Sequence, residues 1–180
     1  MNKAFFLDRD GTINYDVHYL RNVDDVKIIE GVKEAIKLIH KFGYKVIVVT
    51  NQGGIAKGLL TEETYQNINN KIQELLNCEH QIDAFFYCPH HPDITKCVCR
   101  KPNPFLLKLA SEQFDIDLTQ SYMIGDKLSD VETGINANCK ESVLVLTGHG
   151  KEYELKAKEK NIKVYDDLYV AVKSILDYNE

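Results

Sequence analysis

Two carboxylates one residue apart at the end of an apolar run mark the first place where this chain could do chemistry. In AFFLDRDGTIN, Ala4 to Asn14, four apolar residues lead into Asp8, Arg9 and Asp10. Side chains at i and i+2 of a strand share a face, so Asp8 and Asp10 are expected side by side with Arg9 turned away. Two further apolar runs end in polar groups: IVVTNQ in Thr50, Asn51 and Gln52, and MIGDK in Asp126 and Lys127. Asp8, Asp10 and Asp126 brought together would repel one another, and the usual relief is a proton or a cation. Magnesium suits them, since it takes oxygen ligands, accepts one or two carboxylates and keeps positions for water and phosphate. Beside such an ion Asp8 could attack phosphorus, while Asp10 could protonate the leaving alcohol and then activate water. Thr50 and the Lys101 of CRKP would face the charge that builds on the transferring group. Each residue alone has a plainer use: aspartates end strands and cap helices, and lysines are mostly solvated. Their order and their places at element boundaries carry the chemical reading.

A second cluster lies in CPHHPDITKCVCRKP. Cys88, His90, Cys97 and Cys99 make four ligands suited to tetrahedral zinc, in a loop over residues 88–99. The C-x-H and C-x-C spacings are tighter than the common C-x-x-C, so a redox-active or incidental thiol cluster stays open, as does His91 in place of His90. A closed four-ligand site is structural. Arg100 and Lys101 follow the last ligand, so zinc would fix the segment that aims both cations. The remaining two of the five cysteines, Cys78 and Cys139, read as core residues.

To bring these groups together the chain offers strands at AFFL, KVIVV, AFFY, SYMI and SVLVL, each with the length and apolarity of a buried strand. Helical spacing falls between them. Val32, Ala35, Ile36 and Ile39 end at Gly43; Tyr65, Ile68, Ile72, Leu75 and Leu76 follow an N-cap at Thr61. A third helix is expected from Asn103-Pro104, with the proline in its first turn, and a fourth from Ser129, where SDVE reads as a capping box. KEYELKAKEK, IKVY and Leu168, Val172, Ile175 and Leu176 predict a charged helix, a short strand and a closing helix. Such alternation implies a doubly wound parallel α/β sheet, with ligands gathered beyond the carboxyl ends of its strands. At 180 residues the chain is expected to be one domain, 1–180. The net charge of −5 argues against nucleic acid as a partner, and no apolar run reaches membrane-spanning length. The N-terminus lacks the pattern of a signal peptide, so a cytoplasmic, monomeric protein is the expectation.

DRDGT, VVTNQ, CRKP and MIGDK together resemble the four motifs of the haloacid dehalogenase-like phosphatases, over roughly residues 4 to 150. The resemblance implies a Rossmann-like fold, with Asp8 as nucleophile and Asp10 as general acid and base. It places magnesium among Asp8, Asp10 and Asp126, with Asp10 contributing its backbone carbonyl, and makes Thr50 and Lys101 stabilisers of the phosphoryl group. It also favours His90 over His91 as zinc ligand, because the family reads C-P-H. No cap domain fits after the first motif, and only a helix, a strand and the cysteine loop follow the second, so substrate choice would rest on loops. More narrowly, the chain resembles the members that remove the 7-phosphate of a heptose 1,7-bisphosphate on the route to cell-surface polysaccharide. Those members carry an aspartate and a tyrosine near the sugar, matching Asp16 and Tyr19 in NYDVHYL, while His18 stands where glycine is common. Asn51, Gln52, Gly53, Arg100 and Lys127 complete the substrate-binding residues so implied. Histidinol-phosphate phosphatases are near relatives, and a silent zinc-binding interaction module is the rival of another class; retention of both Asp8 and Asp10 argues against the latter.

Overall fold

The computed structural model describes residues 1–77 and 81–178. Its centre is a parallel sheet of β1 (Ala4–Leu7), β2 (Lys45–Asn51), β3 (Ala84–Cys88), β4 (Tyr122–Gly125), β5 (Glu141–Val145) and β6 (Val164–Tyr165), in the order β3-β2-β1-β4-β5-β6. Phe5, Leu7, Val46 and Val48 point to one face, under α1 (Val32–Lys41), α2 (Glu62–Leu76) and α6 (Leu168–Ile175). Phe6, Ile47, Val49 and Met123 point to the other, under α3 (Phe105–Phe114). Both faces of the inner strands are thus buried, which is why those strands read as unbroken apolar runs. Beyond β5, the helices α4 (Leu128–Asn136) and α5 (Gly150–Glu159) contribute to a smaller cluster around Val131, Leu144 and Ala157.

The chain runs outward from β1 to β3, crosses back, and runs outward again from β4 to β6, so the strand order reverses between β1 and β4. Leu7 pairs with Ile124 at that reversal, and the residues just beyond, Asp8 and Asp126, leave the sheet as neighbours. A reversal of this kind opens a crevice at the carboxyl ends of the strands.

Three boundaries differ from expectation. The sheet pairing of the first strand stops at Leu7, ahead of the aspartates, and the chain turns at Gly11 (φ +89°). The third helix begins at Phe105, with Pro104 as its cap, because the Asn103 side chain accepts the Phe105 N–H at 3.0 Å and holds the proline outside the helix. The fourth begins at Leu128 rather than Ser129, and its capping carboxylate is Asp130, which accepts the Lys127 N–H at 3.0 Å. The predicted N-cap at Thr61 is present, its hydroxyl accepting from the Thr64 N–H, and Gly43 ends α1 in the left-handed region. Cys139 packs against the second core cluster, where burial pushes its thiol up to about 12; Cys78 lies outside the described residues.

Candidate active site

Asp8 is the first residue past β1, and its N–H donates to Ile124 O of β4 at 3.0 Å. Its carboxylate shares a small volume with those of Asp126 and Asp130, one oxygen of each lying within 4.8 Å of the others, and all three residues are buried. Lys101 is the cation among them: its Nζ donates to Asp8 Oδ1 at 2.6 Å, lies 2.7 Å from Asp130 Oδ1, and donates to Val49 O at 2.7 Å. Burial opposes the charge on Lys101, but the Asp130 and Asp8 carboxylates outweigh it and hold the ammonium above its ordinary value. One ammonium does not balance three carboxylates. Burial, reinforced by the charges of Asp8 and Asp130, pushes the Asp126 carboxyl up to about 8, and burial raises Asp130 to about 6 against the pull of Lys101.

The cluster fits a divalent cation. Asp126 Oδ2 accepts the His149 N–H at 2.8 Å, whereas its Oδ1 is buried with no hydrogen-bond partner, a state that costs free energy unless something else takes up the lone pairs. Gly11 and Gly148, both at positive φ, lie against each other and against the Asp126 carboxylate. A Cβ added to either would come within 2.3 Å of Asp126 Oδ2, so only glycine allows that close approach. Asp8 and Asp126, with the backbone carbonyl of Asp10, would hold the metal, and Asp130, whose oxygens face Lys101 and the Lys127 N–H, would support them; magnesium matches this all-oxygen donor set.

Strand alternation placed the Asp10 side chain beside Asp8, while the resemblance brought Asp10 to the metal through its backbone carbonyl. The third buried carboxylate is Asp130, and Asp10 turns elsewhere because the strand has already ended and i, i+2 alternation no longer governs it. The Asp10 oxygens accept from Arg9 Nε and NH2 (2.9 Å for the shortest), Asn14 Nδ2 (2.9 Å) and Gln52 Nε2 (2.9 Å). Burial alone would raise its carboxyl, but the charge of Arg9 and these hydrogen bonds hold it below the ordinary carboxylate value. Arg9, expected to turn away from the two aspartates, is fully buried and bonds to Asp10. Gln52 Nε2 also donates to Thr50 Oγ1 at 2.8 Å, which ties the buried threonine to the same network.

Beside these groups a cleft of about 200 Å³ is lined by Asp10, Asp16, His18, Tyr19, Asn51, Gln52, Gly53, Lys127 and His149. Asp16 Oδ2 lies 3.3 Å from His149 Nε2 and 3.6 Å from Lys127 Nζ. The Tyr19 hydroxyl accepts from Lys57 Nζ at 3.0 Å. His18 is solvent-exposed at the rim, and it and Tyr19 both lie at positive φ. His149, in the turn after β5, is the cleft residue that motif reading missed, since a lone histidine in TGHG carries no spacing signal. Asp130 had one: it stands four residues after Asp126, as it must to return to the same point from the first turn of a helix.

The cysteine loop also assembles. Cys88 Sγ lies 3.0 Å from Cys99 Sγ and 3.6 Å from Cys97 Sγ, and His90 Nδ1 lies 3.3 Å from Cys99 Sγ. His91 turns to Asp93 instead, its Nδ1 accepting the Asp93 N–H at 3.3 Å. Three sulfurs and one imidazole nitrogen within 4.8 Å of one another fit a tetrahedral soft-ligand ion such as zinc. Past the loop, Arg100 NH1 donates to His90 O at 3.1 Å. The Asn51 amide grips Lys101 by its backbone, accepting its N–H at 3.0 Å and donating to its carbonyl at 3.3 Å. Asn51, expected to bind substrate, lines the cleft and also places Lys101.

Comparison with known proteins agrees with this architecture. A HAD-hydrolase-like family model matches residues 98–171. The chain is 42% identical to the D-glycero-beta-D-manno-heptose-1,7-bisphosphate 7-phosphatase of Photorhabdus laumondii, over 96% of each chain. It is also 42% identical to the enzyme of that name from Haemophilus influenzae, over 82% of this chain and 84% of that one. Among solved structures, D,D-heptose 1,7-bisphosphate phosphatase from B. bronchiseptica, complexed with magnesium and phosphate, superposes with a TM-score of 0.89 at 31% identity, covering 97% of this chain and 98% of that one. Similarity of this extent means that the chain belongs to the haloacid dehalogenase-like hydrolases, in the family of the heptose-1,7-bisphosphate 7-phosphatases.

Proposed function

We propose that residues 1–180 act as one domain, a magnesium-dependent phosphatase that removes the 7-phosphate of D-glycero-D-manno-heptose 1,7-bisphosphate. The observation that carries the reading is Asp8: a buried carboxylate at a sheet switch point, 2.6 Å from a lysine ammonium and beside the unpartnered oxygen of Asp126. Bound by Asp8, Asp126 and the backbone carbonyl of Asp10, beside Asp130, magnesium would neutralise charge on the phosphoryl oxygens. Asp8 attacks phosphorus as the bond to the sugar oxygen breaks, and Lys101 and Thr50 stabilise the charge on the transferring group. Asp10 gives its proton to the departing alkoxide and then takes one from the water that opens the aspartyl-phosphate. Asp16, Tyr19, Gln52, Gly53, Arg100 and Lys127 hold the rest of the sugar bisphosphate, Gln52 also steadying Asp10. The cysteine loop binds zinc as a structural ion and presents Arg100 and Lys101.

The test compares turnover of heptose 1,7-bisphosphate and histidinol phosphate by the purified protein, with magnesium and with chelator. Preference for the heptose substrate with strict magnesium dependence supports the reading. Preference for histidinol phosphate, or no turnover of either, overturns it.

A further inference from the structure

Arg9 is among the largest fully buried side chains of the described residues, and no step of the proposed reaction uses it. Taking a guanidinium out of water costs several kcal/mol unless its donors are met. Here they are met in a particular way. Nε and NH2 form a side-on fork on both oxygens of Asp10, at 2.9 to 3.3 Å. NH1 donates to Asn69 Oδ1 of α2 at 3.1 Å, and the guanidinium carbon sits 5.4 Å from the centre of the Tyr65 ring. The guanidinium is thereby held at its far end by a helix rather than by the loop it comes from. A planar fork of this kind fixes the plane of its carboxylate as well as its position. Asn14 and Gln52 donate one bond to each Asp10 oxygen from the remaining sides, while Asp10 still borders the cleft.

We propose that Arg9, anchored by Asn69, is the positioning residue that holds the Asp10 carboxylate as the base of the second half-reaction, the attack of water on the aspartyl-phosphate. The inference rests on the reading of Asp8 as nucleophile and Asp10 as acid and base. With donors on both oxygens, the clamp fixes the plane of the carboxylate and the edge it presents to the cleft. In that step water oxygen bonds to phosphorus, the Asp8–phosphorus bond breaks, and the proton lost by the water passes to Asp10.

The two half-reactions separate with p-nitrophenyl phosphate, whose leaving group departs without a proton. In Arg9→Met, rapid-mixing experiments should show a burst of p-nitrophenol of about one per enzyme, followed by steady turnover reduced on the order of 10²-fold, with acid-stable phosphoenzyme accumulating. Asn69→Ala leaves the fork's charge in place but frees its far end, and should give the same burst with a smaller reduction; it decides the question if Arg9→Met does not fold. Loss of burst and steady state in proportion, or no change in either variant, overturns the proposal. Asp10→Asn is run alongside. If it accumulates phosphoenzyme and the Arg9 and Asn69 variants do not, only the positioning role fails; if it does not, the reading of Asp10 fails first and takes this inference with it.

Discussion

Asp8 and Asp130 divide one ammonium between them, and their substitutions should separate chemistry from metal binding. Asp8→Asn is nearly isosteric and keeps an acceptor for Lys101, but an amide does not attack phosphorus. Turnover should fall to background while the melting temperature stays close to the wild-type value; hydrolysis at near wild-type rate would remove Asp8 as nucleophile. Asp130 stands behind the nucleophile, with Lys101 at 2.7 Å and the Lys127 N–H at 3.0 Å. In Asp130→Asn the site loses one of its three carboxylates, and Lys101 loses the charge that draws it away from Asp8. Groups in this position typically change metal affinity by 10–100-fold. The magnesium concentration for half-maximal activity should therefore rise on the order of 10-fold, measured by titrating activity with the ion. An unchanged titration would show that Asp130 only caps the helix.

At the scale of elements, the site is a meeting of turns, each held by a partner from another segment. The turn after β5 donates the His149 N–H to Asp126, and Thr147 Oγ1 ties it to Gly11 O at 2.7 Å. The cysteine loop is held to the sheet through Cys88 at the end of β3, and it reaches the catalytic end through the Arg100 to His90 bond and the Asn51 clamp on Lys101. A metal enclosed by Cys88, His90, Cys97 and Cys99 would leave no position for water, so its effect on rate would be geometric. Cys99→Ala should lose zinc by elemental analysis and lower kcat/KM on the order of 10²-fold, since displacement of Lys101 by about 1 Å has that cost. The magnesium requirement should persist, because Asp8, Asp126 and Asp130 stand on other segments. Full activity in a zinc-free variant would leave the loop without a catalytic role.

For the whole molecule the uncompensated carboxylates make stability depend on pH and on the cation together. The folded-state values of Asp126, about 8, and Asp130, about 6, lie above the ordinary 3.8. Between about pH 4 and pH 8 the folded protein therefore retains protons that the unfolded chain releases, so without a divalent ion its stability falls as pH rises through that window and levels off above it. Magnesium binds the ionised set, so the rise in melting temperature on adding it should be larger at pH 8 than at pH 5.5, measured by thermal unfolding with and without the ion. A larger rise at pH 5.5 would show that the cation binds elsewhere. Much of this molecule was legible in the order of its residues. Strands buried on both faces are apolar throughout and read plainly; helix caps such as Thr61 announce themselves; and the cysteine cluster is local enough for spacing to reveal it. The strand ends therefore told which polar residues would meet. What they would do on meeting depended on contacts between segments far apart in the chain. Alternation along a strand made Asp10 the companion of Asp8, yet sheet pairing stops at Leu7, and beyond it Asp10 follows the donors around it, not a period of two. Alternation turned Arg9 away from Asp10, and nothing local announced its partner Asn69, 60 positions away on α2. Asp130 looked like part of a helix cap, which it is, and became the third carboxylate of the site only because the reversal of strand order between β1 and β4 sets Asp8 against the turn into α4.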